Sequence, residues 1–377
     1  MKITAVDVFP LSGATVDGGW PQGHQPTDDL HTLVRVQGED GFFGFGSCFT
    51  SGSLVAGAMR LLWPLLRGES AIEPERVAEK LHQSTFWQGR GGAVTHAISG
   101  LDIALWDLFG KVCGQPIGRL LGGVYRQSVR PYGSILFDEP AALAANLESV
   151  VSRGFHSIKM GWRPFGRRDP KFDELLVKTA RQTVGDDVEL MVDAGGSEQH
   201  WPHGLAWARR TAEMLADYDI VWFEEPLPPD DLEGYAELTR GSRVPIAGGE
   251  VLTRRQSFQP WLERRALDIV QPDVTKNGGL SEFRRIACMA QDHQVQVVPH
   301  GWNTAIGLAA DLQISAFLPN ARYVEYLTPC RYIEELLTEP WVTLDDGSLR
   351  IPRGPGLGVE VDRDKLRAFC ERPAEFR

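Results

Sequence analysis

Apolar and polar residues alternate along three short segments at the start of the chain, which is the pattern of half-buried β-strands. The segments are KITAVDVFPL, HTLVRVQ and GFFGFGSC, and the turn sequence GEDG separates the last two. A long polar segment, GATVDGGWPQGHQPTDD, lies between the first and the second. We therefore predict a β-meander whose first connection is a long loop, of a length typical of functional lids.

Helical periodicity follows the meander. In the segment GGAVTHAISGLDIALWDLFGKVCG, apolar residues repeat at the spacing of one helix face: Ile98, Leu101, Leu105 and Leu108. Gly114 and Pro116 then give the stop signal of a helix. Together these elements predict an α+β domain over residues 1–126.

From about residue 129, short runs of β-branched residues alternate with amphipathic stretches such as KFDELLVKTARQTVG. The runs start roughly 23–32 residues apart, which is the period of strand–helix repeats. There are eight of them: VRPYGSI, SIKMGW, VELMVDA, IVWFEEP, VPIAGGE, DIVQPDV, VQVVPHG and RYVEYLTP. We predict a β/α barrel over residues 127–340. A doubly wound open sheet fits less well, because no glycine-rich phosphate loop follows the first run. The last segment, residues 341–377, is strand- and turn-like again, and we expect it to return to the N-terminal cap.

Composition narrows the possible partners. Of the 377 residues, 42% are hydrophobic and 24% are charged, as in an ordinary globular protein. The net charge of -11 argues against nucleic acid or an anionic membrane as a partner, but a metal ion could still attract an anionic small molecule. The five cysteines are scattered, and the N-terminus lacks the apolar region of a signal peptide. No apolar run approaches the roughly 20 residues of a membrane span. These features predict a reduced, cytoplasmic protein.

Ionisable residues stand at the ends of seven consecutive predicted strands, and the carboxyl ends of barrel strands are where barrel enzymes carry their active sites. In chain order these residues are Lys159, Asp193, Glu224 with Glu225, Glu250, Asp273, His300 and Glu325.

Three of these acids, Asp193, Glu224 and Glu250, should converge from adjacent strands. Without a cation between them they would repel one another and raise each other's pKa values. A set of oxygen ligands fits Mg²⁺, with Mn²⁺ as a substitute, whereas Zn²⁺ would favour nitrogen or sulfur ligands. A single acid could simply cap a helix or pair with an arginine, but three on successive strands favour a metal site.

Asp273 and His300 would form a dyad in which the carboxylate orients the imidazole and raises its basicity. A buried histidine satisfied by a backbone carbonyl is the alternative, but His300 lies in a Pro-His-Gly corner beside the predicted metal. Lys159 should point into the barrel opposite His300. Glu325 could donate a hydrogen bond to a substrate carboxylate if burial raises its pKa, or it could form a structural ion pair with an arginine.

The chain resembles the mandelate racemase branch of the enolase superfamily over nearly its full length. The motifs that carry the resemblance are AISGLDIALWDLFGK, QPIGRLLGG, VDAGG, WFEEP, AGGE, VQPDVTKNGGLSE, VPHGW and GPGLGVEVD, in this order. The resemblance implies a modified TIM barrel of the (β/α)7β type with an α+β cap. It also implies one Mg²⁺ per subunit held by Asp193, Glu224 and Glu250, a general acid/base pair of Asp273 and His300, and a homo-oligomer.

Further site residues follow from the resemblance. It implies that Glu325 hydrogen-bonds the enolate, that Lys159 contacts the substrate carboxylate, and that residues 16–28 and 48–53 close over the substrate. The candidate substrate-binding residues are Trp20, His24, Trp162, Lys276 and Trp302. Trp162 with Arg163, Arg167 and Arg168 could contact a distal substrate group, or the three arginines could be solvated loop charges. His200 and His203 have the spacing of metal ligands, although an outer-ring position is favoured for them.

One departure from the family pattern limits the reaction. The family commonly has Lys-x-Lys at the end of the second barrel strand, but this chain has Lys159-Met160-Gly161. Racemisation needs a base on each face of the stereocentre, and Gly161 cannot move protons. Dehydration of a sugar acid to a 2-keto-3-deoxy acid needs only His300, and acid-sugar dehydratases similarly lack the second lysine. The alternatives are a cycloisomerase of a sugar lactone or anhydro-sugar acid, an epimerase, and, more remotely, a non-catalytic relative.

Overall fold

The structure, a computed structural model, describes residues 1–20, 23–198 and 200–377. It contains an antiparallel four-stranded sheet packed on helices and a curled parallel sheet surrounded by helices. This confirms the predicted α/β barrel with an α+β cap. None of the helices in the described part of the chain is long and apolar enough to cross a membrane.

The cap is formed first along the chain. Its three strands are β1 (Ile3–Leu11), β2 (His31–Gly38) and β3 (Phe43–Cys48), and its helices are α1 (Gly52–Leu66), α2 (Pro74–Ser84) and α3 (Ala93–Cys113). The strands pair antiparallel in chain order, which confirms the meander. Helix α3 ends at Gly114, whose left-handed backbone (φ 64°) only glycine adopts without strain.

A short helix, α4 (Ile117–Leu120), leads into the barrel. The eight parallel strands are β4 (Ser128–Leu136), β5 (Ser157–Gly161), β6 (Glu189–Asp193), β7 (Ile220–Glu224), β8 (Ile246–Gly248), β9 (Ile269–Val270), β10 (Gln296–Val297) and β11 (Tyr323–Leu327). The helices between them are α5 (Pro140–Ser152), α6 (Pro170–Val184), α7 (Leu205–Ala216), α8 (Leu232–Gly241), α9 (Arg254–Glu263), α10 (Leu280–Asp292) and α11 (Ala305–Phe317). Seven helices for eight strands give the (β/α)7β arrangement.

The barrel has a seam between β10 and β11, since no backbone ladder joins these strands in the described ranges. A side chain bridges the seam: the Gly301 N–H after β10 donates to Glu325 Oε2 on β11 at 2.7 Å. One of the ionisable strand-end residues therefore also helps to close the barrel.

The C-terminal segment contacts both parts of the molecule. After β11 come α12 (Arg331–Glu334), β12 (Leu349–Arg350), α13 (Arg363–Phe369) and β13 (Ala374–Phe376). Strand β12 pairs with β4 of the barrel, and β13 pairs with β1 of the cap. The chain returns to the cap at several points: the Leu357 N–H donates to Asp107 on α3, and the Phe369 carbonyl accepts from the Ser12 N–H.

An apolar layer fills the barrel interior directly below the ionisable strand ends. Because side chains alternate along a strand, the residue two positions before each inward-facing polar residue also faces inward. Four such residues, Met191, Trp222, Val298 and Tyr323, form one buried cluster with Tyr132, Ala247 and Ile269. The polar groups at the strand ends therefore lie directly on a layer of buried apolar side chains.

Helix α3 docks the cap onto the barrel through buried polar contacts. Asp102 accepts hydrogen bonds from the N–H and the hydroxyl of Ser281 at the start of α10. Ser99 Oγ accepts from the Gly278 N–H at 2.8 Å. The cap is therefore fixed over the carboxyl ends of the barrel strands.

The contact between β3 and α3 depends on glycines, and this gives a test of the packing. A Cβ at Gly46 would lie 1.9 Å from the Gly100 carbonyl oxygen. We expect Gly46→Ala to lower the free energy of unfolding by about 3 kcal/mol, because a close-packed backbone cannot yield to the methyl group. Urea denaturation measures the change.

The matched control is Gly57→Ala in the exposed part of α1, where a Cβ would meet nothing within 4 Å. This substitution should raise the stability by about 0.5–1 kcal/mol, because alanine favours a helix. Equal effects of the two substitutions would contradict the packing described for β3.

Candidate functional site

Three acidic side chains meet at the mouth of the barrel, as the sequence predicts. Asp193 ends β6, Glu224 ends β7, and Glu250 follows β8. The parallel register aligns Asp193 with Glu224. Each of the three offers one carboxylate oxygen, and these atoms lie within 4.8 Å of one another. All three side chains are buried, and we call this group the carboxylate triad.

Lys159 on β5 offsets part of the negative charge of the triad. Its Nζ donates to Glu224 Oε1 at 2.6 Å and lies 3.2 Å from Glu325 Oε1 and 3.7 Å from Asp193 Oδ2. Burial alone would lower the pKa of Lys159, but the charges of Glu224 and Glu325 raise it well above its usual value. The lysine is therefore a permanent cation shared by several carboxylates.

Neighbouring groups fix the orientation of two triad members. Trp222 Nε1 and Gln271 Nε2 each donate to Glu224 Oε2 at 2.8 Å. The Gly195 N–H donates to Asp193 Oδ1 at 2.8 Å. Burial and then the charge of Glu224 raise the pKa of Asp193. The shift reflects a carboxyl group that is buried beside a second carboxylate.

The triad fits a divalent cation. Glu250 Oε2 is buried and makes no hydrogen bond to any described residue. Three carboxylates without nitrogen or sulfur donors are the ligand set that Mg²⁺ prefers. The triad is also the single group of potential metal ligands found in the described residues. His203 instead binds the Gly166 carbonyl oxygen through Nε2 at 2.6 Å and stacks on Trp207, so it has a packing role.

Asp273 and His300 form the expected dyad beside the triad. His300 Nδ1 donates to Asp273 Oδ2 at 2.7 Å, and Thr275 holds the other carboxylate oxygen through its N–H and hydroxyl. Because a carboxylate only accepts, this contact places a proton on Nδ1. Nε2 faces the barrel mouth, 3.2 Å from Glu250 Oε2.

The charges around the dyad set its titration. Burial would raise the pKa of Asp273, but Lys276, with Nζ 3.6 Å from Oδ2, and the hydrogen bond from His300 hold it below its usual value. Burial lowers the pKa of His300, but the charges of Glu250 and Glu325 and the bond to Asp273 outweigh it and raise the pKa. The imidazole is thus more basic than in water.

Glu325 differs from the sequence-based expectation of a raised pKa. Burial would raise it, but the charges of Lys159 and His300 and the Gly301 N–H lower it to about 2. The carboxyl group is ionised in this arrangement and accepts hydrogen bonds. A carboxylate has no proton, so Glu325 cannot donate a hydrogen bond to the substrate in this state. Glu325 forms an ion pair, but its partner is Lys159 and not the expected arginine.

A cavity of about 550 Å³ lies between the cap and the barrel mouth. Four of the five candidate substrate-binding residues line it: Trp20, Trp162, Lys276 and Trp302. The fifth, His24, packs edge-on against Trp20 at 4.9 Å and is not among the described residues that line the cavity. The predicted lid segments contribute Gly18 and Trp20 from the first loop and Phe49 to Ser51 from the second.

The three arginines after β5 do not line the cavity. Arg163 pairs with Asp17, Arg167 with Glu198, and Arg168 with Glu139. Arg163 therefore ties the segment after β5 to the first loop of the cap. These ion pairs fit the alternative that the three arginines are loop charges better than they fit direct substrate binding.

The cavity also contains polar residues that the sequence did not identify. They are Asp29, His96, Ser134, Ser197 and Thr253. No local pattern marks Asp29 or His96, because a loop and a cap helix bring them to the barrel mouth. Trp222 and Gln271 did carry a signal, since each precedes an identified residue by two positions on the same strand face.

Comparison with known proteins agrees with this geometry. Residues 26–122 match the family Mandelate racemase / muconate lactonizing enzyme, N-terminal domain, and residues 142–365 match the family Enolase C-terminal domain-like. D-galactarolactone cycloisomerase of Agrobacterium fabrum is 35% identical over 98% of this chain and 99% of its own length. D-xylonate dehydratase of Haloferax volcanii is 33% identical over 96% of this chain and 88% of its own length.

The structure of L-talarate dehydratase from Polaromonas sp., determined with Mg and L-glucarate, covers 100% of this chain and 99% of its own. The TM-score is 0.85 at 28% identity. The matched domains, the cap over a (β/α)7β barrel and the buried acidic triad lead to one conclusion. The chain belongs to the mandelate racemase / muconate lactonizing enzyme family of the enolase superfamily, and it is similar to sugar-acid dehydratases and cycloisomerases.

Proposed function

We propose that the protein removes the proton next to the carboxylate of a sugar acid and eliminates water to give a 2-keto-3-deoxy acid. The observation that carries the proposal is the position of His300. Its Nε2 faces the carboxylate triad, and Asp273 supports the ring from behind at 2.7 Å. A basic imidazole beside a cation site is the arrangement that proton abstraction next to a carboxylate requires.

Asp193, Glu224 and Glu250 would hold one Mg²⁺. Bound there, the ion supplies Lewis-acid stabilisation of the negative charge that develops on the substrate carboxylate. Lys159 contributes a second, fixed positive charge on the β5 side, where its ammonium group can bind a carboxylate oxygen.

His300 performs the proton transfers. Nε2 takes the proton from C2, and the electron pair of the broken C–H bond forms a C2–C3 double bond while the C3–O bond breaks. The imidazolium returns its proton to the departing hydroxyl, so that water leaves and the histidine is restored. The resulting enol becomes the 2-keto acid by moving a proton from its oxygen to C3.

The opposite side of the site has no second base at the family position. Gly161 lines the cavity, and a Cβ there would lie 3.0 Å from Asp193 Oδ2. The Asp193 carboxylate therefore occupies the space that a longer side chain at position 161 would need. This supports elimination over racemisation, because a racemase needs proton transfer on both faces.

Cycloisomerisation is the second candidate, and the relative from Agrobacterium fabrum favours it. The same proton abstraction would then expel a ring oxygen. The mass of the product separates the two reactions: a dehydration product is lighter than its substrate by one water, whereas a cycloisomerisation product has the same mass. A screen of aldonic acids, aldaric acids and their lactones with Mg²⁺ makes the comparison.

The first prediction concerns the metal. Glu250→Gln should abolish Mg²⁺ binding in calorimetry, because it removes one of the three carboxylate ligands of the triad. In the unsubstituted protein, Mg²⁺ at about 100 times its dissociation constant should stabilise the fold by about 2.7 kcal/mol. The exposed Glu263→Gln serves as the control and should bind Mg²⁺ normally. Normal binding by Glu250→Gln would remove this residue from the proposed site.

The second prediction concerns the base. His300→Asn should lower kcat by a factor of about 10²–10⁴ or more, because no other described group is held by Asp273 in this way. Calorimetry should show unchanged Mg²⁺ binding. His156→Asn, at an exposed position before β5, is the matched control. Full turnover by the His300 variant would refute the assignment of the base.

The third prediction concerns stereochemistry. During partial turnover in D₂O, recovered substrate should carry deuterium at C2 in its original configuration or carry none. The physical reason is that protons move only on the His300 face. NMR and chiral chromatography measure both quantities. Accumulation of the C2 epimer would show a second proton-transfer group and favour epimerisation.

A further inference from the structure

The cavity has two walls of different chemistry. The barrel wall carries two lysines, Lys159 and Lys276, and both lie close to carboxylates at the reaction centre. Lys159 Nζ is 2.6 Å from Glu224, and Lys276 Nζ is 3.6 Å from Asp273 and 3.9 Å from Glu250. No arginine is found among the described residues that line the cavity.

The cap wall carries polar atoms without partners. Asp29 Oδ2 accepts from the Gly52 N–H at 2.8 Å, which fixes the carboxylate, but Oδ1 is buried and unpaired within the described chain. The same is true of His96 Nδ1 on α3. Trp302 Nε1, at the edge of the barrel wall, is a third such atom. A folded protein rarely buries polar atoms without a partner, so these atoms mark a place where a ligand or water completes the hydrogen bonds.

The charge of the cap wall decides which ligand fits. Burial, followed by the charge of Lys276, lowers the pKa of His96 to about 4, so its imidazole is neutral at neutral pH. No lysine or arginine forms an ion pair with Asp29 within the described residues. A second carboxylate beside Asp29 would meet a carboxylate that forms no ion pair with a lysine or arginine in the described residues. A hydroxyl group there can donate to Asp29 Oδ1, and Trp302 Nε1 can donate to a hydroxyl oxygen.

We infer that the substrate is a sugar monocarboxylate, an aldonate or its ring-closed anhydro form, whose uncharged hydroxyl groups bind Asp29 and His96 on the cap wall. This inference rests on the proposed function, since it places the single carboxylate at Lys159 and the carboxylate triad. It assigns Asp29 as the residue that rejects aldarates, which carry a carboxylate at both ends.

The experiment measures binding and turnover for matched aldonate and aldarate pairs of equal chain length and configuration. Calorimetry with the Mg²⁺-loaded His300→Asn protein gives the affinities without turnover. The best aldonate should bind about 30-fold or more tightly than its aldarate partner, because the second charge is repelled in a partly dehydrated cavity. Equal binding, or tighter binding of the aldarate, overturns the inference.

The variant Asp29→Asn identifies the residue responsible. Its amide oxygen can still accept from the Gly52 N–H, so the loop keeps its anchor while the negative charge is lost. In this background the aldonate-to-aldarate ratio of kcat/KM should fall by about tenfold or more, mainly through KM for the aldarate. The control is Asp40→Asn, which makes the same charge change at an exposed turn where asparagine tolerates the positive φ of 67°. An unchanged ratio in Asp29→Asn overturns the role of Asp29.

The outcomes separate this inference from the proposed function. If turnover depends on His300 but the protein prefers aldarates, the proposed reaction stands and the inferred substrate class is wrong. If neither aldonates nor aldarates bind the Mg²⁺-loaded protein, the proposed function and the inferred substrate class are both wrong.

Discussion

The structure depends on one electrostatic constraint, which is the accumulation of carboxylates at the mouth of the barrel. Six buried acids lie there: Asp193, Glu224, Glu225, Glu250, Asp273 and Glu325. Burying unpaired charges is costly, so the fold must place cations among them. Lys159 and Lys276 lie within 4 Å of several of these carboxylates, and His300 bridges Asp273 and Glu250. The acids and the cations therefore form one network of short-range charge contacts.

The surroundings of this network keep it dry and ordered. Below it, the apolar layer of the barrel interior excludes water, and above it the cap is fixed by α3. In such an environment electrostatic interactions are stronger than in water, which favours both cation binding and stabilisation of a developing negative charge. The barrel seam adds a further link, because Glu325 closes it by accepting the Gly301 N–H. Network and fold thus stabilise each other.

The network is asymmetric, and the asymmetry limits the chemistry. One side presents the His300 imidazole supported by Asp273, while the other side presents Lys159 bound to Glu224 and the bare backbone of Gly161. Proton abstraction and return on one face suit elimination. Relatives of this chain carry both dehydratase and cycloisomerase names.

The sequence by itself determined the barrel, the cap and the group of ionisable residues at the barrel mouth. Strand ends recur with a regular period, and parallel strands bring their carboxyl ends to one rim, so Asp193, Glu224, Glu250, Asp273 and His300 could be placed together without coordinates. Only the tertiary structure decided the protonation of Glu325 and the cap wall of the cavity. The pKa of Glu325 depends on its distance from Lys159, and Asp29 and His96 reach the site through a loop and a helix. Long-range distances of this kind leave no periodic signal in the chain.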